Sequence, residues 1–233
     1  MTTLPEKNLC NTFNHRVLVT SGPTRAYIDR VRYIANTSTG ALGACIVEKL
    51  VEQGIPVIHL YGMGSELPNV QNSHLLETVE IVTIDDVIAC IKTIAISGHI
   101  TAVVHAMAIL DYIPEFILEG KKNSGDAWWD IRLVRTPKVI SLIRELIPYA
   151  YMVGFKLETG VSEEELFNRA RILLNTYKLD IVVANDLDRV SKDRHEAIFV
   201  ASGDKILTRA VTKEEIARKI TAFIEKTFKR AVD

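Results

Sequence analysis

Between an apolar run at residues 17–20 and the pair Gly40 and Gly43, the sequence concentrates groups that bind anions. Arg25, Arg30 and Arg32 come first, then Asn36, then Thr37-Ser38-Thr39-Gly40 at the start of a helical pattern. Backbone N–H groups and hydroxyls at a helix N-terminus favour an anion through hydrogen bonds and the helix dipole. A polar loop this long inside a compact unit is usually functional, and these residues point to a phosphorylated ligand. The same residues also have a plainer use, as Ser/Thr caps and as glycines that let a helix pack on a strand. The Gly-x4-Gly-Lys-Ser/Thr phosphate loop is absent, which disfavours that class of NTPase.

The elements that must position these groups alternate in type. Residues 17–20 read as a strand, followed after the loop by a helix over 40–53 with Leu42, Ile46, Val47 and Leu50 on its apolar face. Strands follow at 56–61 and 80–84, then a helix capped by Asp85 and carrying Val87, Ile88, Ile91 and Ile94. Residues 101–106 are apolar throughout, as expected of a strand buried on both faces. From 111 to 129 no period is visible among Pro114, Gly120, Lys121, Lys122, Gly125, Trp128 and Trp129, so this stretch reads as a mobile flap. Regularity resumes with a strand at 131–134 and Thr136-Pro137 as cap and first helical residue, ahead of Val139, Ile140, Ile143 and Leu146. A strand at 151–155, a capping box Ser162-x-x-Glu165 with a helix to Lys178, and a strand at 181–184 come next. A hairpin of 197–200 and 205–209 around Ser202-Gly-Asp204, then a helix capped at Thr212-x-x-Glu215, complete the chain.

This order predicts an α/β, Rossmann-like three-layer fold with a mostly parallel sheet, plus the flap and a C-terminal β-hairpin. Residues 16–233 form one domain behind a tail of residues 1–15. Ligands in such folds bind outside the carboxyl ends of the strands. Segments 21–36, 105–111, 155–158 and 185–186 all fall there.

Composition narrows the class. The chain has 233 residues, 48% hydrophobic and 24% charged, with a formal net charge of −1. That balance gives no electrostatic reason to expect nucleic acid or an anionic membrane as partner. No apolar run approaches the roughly 20 residues of a membrane span, and residues 1–15 lack the apolar core of a secretory signal. Cys10, Cys45 and Cys90 are odd in number and without metal-ligand spacing. Reduced thiols in a cytoplasmic protein are the expectation, two of them on packed helix faces.

The run Val17-Leu-Val-Thr-Ser-Gly-Pro-Thr-Arg25, continued by Ile28-Asp-Arg-Val-Arg-Tyr-Ile-Ala-Asn-Thr-Ser-Thr-Gly40, resembles the opening of phosphopantothenoylcysteine synthetases, the phosphopantothenate–cysteine ligases of coenzyme A biosynthesis. Further pieces keep the family's order: His105-Ala-Met-Ala-Ile-Leu-Asp-Tyr112, Lys121 with Lys-Asn-Ser-Gly, Val153-Gly-Phe-Lys-Leu-Glu158, Val183-Ala-Asn-Asp-Leu187 and His195-Glu-Ala-Ile-Phe-Val200. Many bacterial relatives follow a flavin-dependent decarboxylase. Only about fifteen residues precede the first strand here, so a stand-alone form without flavin is expected.

The resemblance implies condensation of 4′-phosphopantothenate with L-cysteine through an acyl-nucleotidylate, with release of pyrophosphate and CMP or AMP. It implies catalytic roles for Asn36, Lys121 and Arg32. It assigns the nucleotide to His105, Ala106, Met107, Asp111, Lys121, Val153, Gly154, Phe155 and Lys156, with Mg²⁺ on Asp111. Phosphate or substrate contacts fall to Gly22, Thr24, Asn36, Ser38, Thr39, Gly40 and Asn185. Lys121 suits a flap because it is a compact charge that a loop can deliver, although adjacent Lys122 is open to the same role. Asn36 offers an amide donor without charge, or else a helix cap. Arg32 offers a phosphate fork, or else an ion pair with Asp29. Asn185 and Asp186 brace the site or cap a strand end. Bacterial members use CTP and eukaryotic ones ATP. The segment Phe155-Lys-Leu-Glu158 looks eukaryotic, while Asn185-Asp186-Leu and the compact chain look bacterial, so CTP is favoured. Relatives assemble as dimers, and Trp128-Trp129 is too apolar for open solvent, so a homodimer is expected.

Two rivals share the layout. An NAD(P)-dependent reductase needs an acidic residue near the end of the second strand, where Gly62 stands, and no Tyr-x-x-x-Lys pair exists. A non-catalytic nucleotide-binding module has no need of Asn36, Asp111 and Lys121 together.

Overall fold

The structure is a computed structural model that describes residues 15–97, 99–191, 193–203 and 205–230. The core begins with β1 (Arg16–Ser21), buried at all six positions. A small antiparallel hairpin of β2 (Arg25–Tyr27) and β3 (Tyr33–Ala35) leads to α1 (Ala41–Glu52). Next come β4 (Val57–Gly62), β5 (Leu76–Ile81), α2 (Ile84–Ser97) and β6 (Ile100–His105). A second ribbon, β7 (Tyr112–Pro114) against β8 (Leu133–Arg135), brackets the flap. Beyond it lie α3 (Val139–Leu146), β9 (Tyr151–Glu158), α4 (Glu163–Thr176) and β10 (Ile181–Asp186). The antiparallel strands β11 (Ala197–Ala201) and β12 (Ile206–Ala210) precede α5 (Lys213–Arg230).

Eight strands form one sheet in the order β12-β11-β10-β9-β6-β1-β4-β5, parallel except for the last two strands of the chain. Successive side chains of a strand point to opposite faces, and the core divides accordingly. Leu18, Val103, Val182 and Ala184 pack with α2, α3 and α4, while Val17, Val19, Ile181 and Val183 pack with α1 and α5. Helices on both faces make the three layers. From β1 the chain builds outward to β4 and β5, then crosses back to β6 on the other side of β1. The order therefore reverses between β1 and β6, where open α/β sheets place a ligand crevice at the carboxyl ends.

Several local expectations change. The strand expected at 80–84 lies at 76–81, and Ile84 already begins α2. Asp85 is not its cap. The Asp86 N–H donates to Thr83 Oγ1 at 3.2 Å and the Thr83 N–H to Asp86 Oδ2 at 2.8 Å, a capping box starting two residues earlier. Thr136-Pro137 does not open α3. The Thr136 hydroxyl donates to the Leu110 carbonyl at 2.6 Å, which ties the end of β8 to the loop after β6, and the helix starts at Val139. Leu146, expected on the apolar face of α3, is not buried, at 38% exposure. The polar loop after β1 is a hairpin, and the expected flap holds β7 in its first residues. Ser162 caps α4 by accepting from the Glu165 N–H, and Thr212 Oγ1 accepts from Glu215 at the start of α5, as expected. Cys45 and Cys90 sit on α1 and α2, partly and fully buried, while Cys10 and Asp204 lie outside the described residues.

Candidate functional site

At the switch point the loops after β1 and β6 are laced together. The Ala106 N–H donates to the Thr20 carbonyl, Ala108 N–H to Gly22, and Thr24 N–H to Ala108. The Leu110 N–H donates to the Thr24 hydroxyl at 3.1 Å, so Thr24 is buried and serves as a brace. Asn36, at the exit of the β2–β3 hairpin, adds a third strand of contact. Its Nδ2 donates to the carbonyls of Ala108 (3.1 Å) and Ile109 (3.3 Å) while the residue stays exposed. It does not cap α1, whose N-cap is Gly40 at φ +77° with no side-chain hydrogen bond to it.

The turn before α1 is polar but not acidic. The Gly40 N–H approaches Ser38 Oγ at 3.4 Å and the Ala41 N–H approaches Thr39 Oγ1 at 3.3 Å. The first turns of α2, α4 and α5 carry Asp or Glu; those of α1 and α3 carry none, so no side chain of α1 offsets the positive end of its dipole. Gly22 and Gly40 answer to Ser65, from the loop after β4. A Cβ on Gly22 would stand 1.9 Å from Ser65 Oγ, and one on Gly40 2.7 Å from its Cβ. Gly43 lets α1 close on β1, where a Cβ would fall 2.1 Å from that of Ser21. Of the glycines read as helix–strand packing, Gly43 fits that use, whereas Gly40, like Gly22, has positive φ and makes room for a loop serine.

Two buried imidazoles flank β1 beneath this surface. His105 Nδ1 lies 2.7 Å from Thr20 Oγ1, and His59 Nε2 2.8 Å from Ser21 Oγ. Burial pushes both pKa values down to about 4, so both rings are neutral near pH 7.

The third group of residues sits out on an arm. Asp29, fully buried at the turn of the β2–β3 hairpin, accepts from the N–H groups of Val31 and Arg32 (both 2.8 Å) and of Lys122 (3.1 Å). Burial alone would raise its pKa; these three donors and the Arg32 guanidinium outweigh it and hold the carboxyl below its ordinary value. Arg32 is thus the ion-pair partner of Asp29 at 3.0 Å, and it also reaches the Lys122 carbonyl and the face of Trp129. These contacts use one N–H on each terminal nitrogen and leave the side chain partly exposed. Arg25 donates to the Met63 carbonyl and stacks on Tyr33, while Arg30 is exposed. Lys122 Nζ pairs with Asp126, whereas Lys121 is exposed with no ion pair or hydrogen bond to its side chain among the described residues. Arg32 and Asn36 are four residues apart along an extended strand, about 13 Å.

The remaining expected residues have defined settings. Asp111 is exposed and its Oδ1 pairs with Lys138 Nζ at 2.6 Å, a partner that no local pattern in the sequence signals. Lys156 pairs with Glu158 at 2.9 Å. Val153 and Gly154 are buried in β9, Phe155 partly so, and Gly154 gives way to Leu179 and Ile140. Met107 is buried and Ala106 half-buried. Asn185 is buried at the end of β10. Asp186 accepts from the N–H groups of Asp188, Gly160 and Val161, which lower its pKa and make it a loop cap. Among the described residues no group of three or more His, Cys, Asp or Glu could hold a metal ion, and no helix is long and apolar enough to cross a membrane.

Residues 12–228 match the family described as DNA/pantothenate metabolism flavoprotein C-terminal domain. The coenzyme A biosynthesis bifunctional protein CoaBC of Thermococcus kodakarensis is 35% identical over 211 residues, 91% of this chain and 51% of that protein. Phosphopantothenate–cysteine ligase 1 of Oryza sativa subsp. japonica is 28% identical over 247 residues, 84% of this chain and 75% of the relative. A crystal structure of the DNA/pantothenate metabolism flavoprotein from Streptococcus pneumoniae superposes with a TM-score of 0.83 at 32% identity, covering 91% of this chain and 99% of that one. The chain spans about half the length of the bifunctional relatives it matches.

Proposed function

This chain belongs to the DNA/pantothenate metabolism flavoprotein C-terminal domain family, and on that premise we propose that it is a phosphopantothenate–cysteine ligase of coenzyme A biosynthesis. The observation that carries the reading is Asn36, held on the Ala108 and Ile109 carbonyls at the switch point of the sheet. A carboxylate is a poor acyl donor, so the carboxyl of 4′-phosphopantothenate first takes a nucleotidyl group from CTP (or ATP) and pyrophosphate leaves. The amine of L-cysteine then displaces CMP (or AMP). The protein aligns two anions and offsets charge in each transition state.

Within this reading the backbone around His105, Ala106 and Met107, with Val153, Gly154 and Phe155, receives the nucleobase. The acid-free N-terminus of α1 with Ser38 and Thr39 faces a phosphate. Asn36 turns its Nδ2 to the acyl carbonyl by exchanging one of the two backbone carbonyls it now holds, and Lys121 brings the positive charge. Asp111 fits a role as single carboxylate ligand of Mg²⁺: it is exposed, and only its Oδ1 is engaged, by Lys138. Bound there, Mg²⁺ would be held mainly by phosphate oxygens and would neutralise their charge. No step needs a flavin. CTP is the favoured nucleotide, and kcat/KM with CTP against ATP decides it.

The exposed apolar side chains of the arm, Val31, Tyr33, Phe116, Ile117 and Trp128, support a homodimer formed through this region. The decisive assay follows pyrophosphate while CTP, Mg²⁺ and 4′-phosphopantothenate are omitted in turn, and amide product with and without cysteine. Release that requires all three components is expected. Turnover of NADPH, or no release with either nucleotide, would sink the reading.

A further inference from the structure

We propose that Asp29 is the positioning residue of this site, a buried carboxylate that fixes the root of the flap so that Lys121 is presented in one direction. The proposal rests on the ligase reading for its chemistry and on the hairpin–flap contact for its geometry. A carboxylate withdrawn from water is costly unless every oxygen is satisfied. Here Oδ1 takes the N–H groups of Val31 and Arg32, and Oδ2 takes the Lys122 N–H and the Arg32 guanidinium. The other guanidinium nitrogen of Arg32 returns to the Lys122 carbonyl at 3.3 Å, closing a ring between segments 93 residues apart. Two backbone bonds extend the seam: Arg30 N–H to the Gly120 carbonyl, and Leu118 N–H to the Ile28 carbonyl.

Lys121 stands inside this seam with both neighbours tied down. Gly120 is held through its carbonyl and Lys122 through its N–H and carbonyl, and the Lys122 ammonium is taken by Asp126. Among the described residues the side chain of Lys121 is left unengaged, as is that of Arg30 on the hairpin side of the seam. Of these two, Lys121 is the one on the flap itself, and a charge presented in one direction needs its backbone held on both sides while its ammonium stays available. Asp29 touches no reacting atom in this scheme; it acts through Lys121.

The test is Asp29→Asn, which keeps the volume but turns an NH₂ group toward backbone and guanidinium donors. Formation of the acyl-nucleotidylate in single turnovers should slow roughly 10- to 100-fold, while KM for the nucleotide, set mainly by the nucleobase contacts on the 105–107 and 153–155 backbone, stays within about threefold. Adding Asp29→Asn to Lys121→Gln should bring no further loss, because the two changes remove one function. Losses that multiply would overturn the proposal. Trypsin should cut the folded variant after Lys121 or Lys122 faster than the unaltered protein, with fragments identified by mass; equal cutting would also overturn it. Asp29→Ser, which retains an acceptor oxygen, replaces the Asn variant if that one does not fold. If the unaltered protein releases no pyrophosphate, the ligase reading fails, and the trypsin comparison alone decides whether Asp29 fixes the flap root.

Discussion

The platform at the ends of β1, β4 and β6 and the arm of hairpin and flap solve the same problem, holding polar groups in place, by opposite means. On the platform, neighbouring strands are already locked by their ladder, and side chains pair across it: Thr20 with His105, Ser21 with His59. Each pair is neutral and buried in close packing, down to glycines with no room for a methyl group. On the arm only three-residue ribbons exist, and large apolar side chains face outward, with Trp128 77% exposed. Its order hangs on the charge of Asp29. Packing gives rigidity that a substrate cannot easily shift, whereas a single charged hub gives a unit that opens locally at small cost, as functional lids do.

Acid should separate the two regions most sharply. His59 and His105 titrate at about 4 in the fold, against about 6.5 in the unfolded chain. Between those values the unfolded chain binds protons that the folded one refuses, so stability falls as pH drops through the window. The slope is about 1.4 kcal/mol per pH unit for each histidine, and above the window they contribute none. Asp29, with its carboxyl held low, loses its contribution only at more acidic pH. Denaturant unfolding at several pH values should show the platform's loss first, and His59→Asn should flatten the curve by one histidine's share. A curve flat from pH 7 to 4.5 would break the contrast.

Next in size is the contrast of the two arm lysines. Lys121→Gln should slow acyl-nucleotidylate formation about 10- to 150-fold, the worth of one charge-assisted contact of roughly 1.5–3 kcal/mol. Lys122→Gln loses a surface pair with Asp126 worth about 0–1 kcal/mol and should cost less than roughly fivefold. Quenched single turnovers analysed by mass spectrometry read both, and equal losses would remove the distinction.

Glycines give a smaller, purely structural comparison. Gly43→Ala forces a methyl group onto Ser21 on the platform and should cost about 1–3 kcal/mol of stability. Gly125→Ala on the flap meets nothing within 4 Å and should stay within about 0.5 kcal/mol. Thermal melting of both variants measures this. Smallest in stability is Trp128→Ser, which should change melting little yet shift the mass by light scattering from dimer to monomer if the arm is the contact face. A dimer that survives the change would place the interface elsewhere.

Strands and helix faces were readable because burial leaves a periodic trace in the local sequence. Ile46, Val47 and Leu50 repeat at helical spacing and are buried, and Ser162 announces its cap three residues ahead of Glu165. The shift of α2 to a cap at Thr83 escaped because Ile81, Val82 and Ile84 make a β-branched run that local propensity reads as strand, while the side-chain bonds of Thr83 and Asp86 decide otherwise. The sequence by itself determined the alternation of elements, the parallel sheet and the strand ends at which a site would lie, since each follows from residues close together in the chain. Only the tertiary structure decided that Arg32 belongs to Asp29, that Lys122 is spent on Asp126 while Lys121 has no such partner among the described residues, that Asp111 meets Lys138, and that Gly22 and Gly40 make room for Ser65. Hydrophobic periodicity is a property of one segment. The partner of a charge or the neighbour of a glycine belongs to two, and the distance between them exists only once the chain has folded.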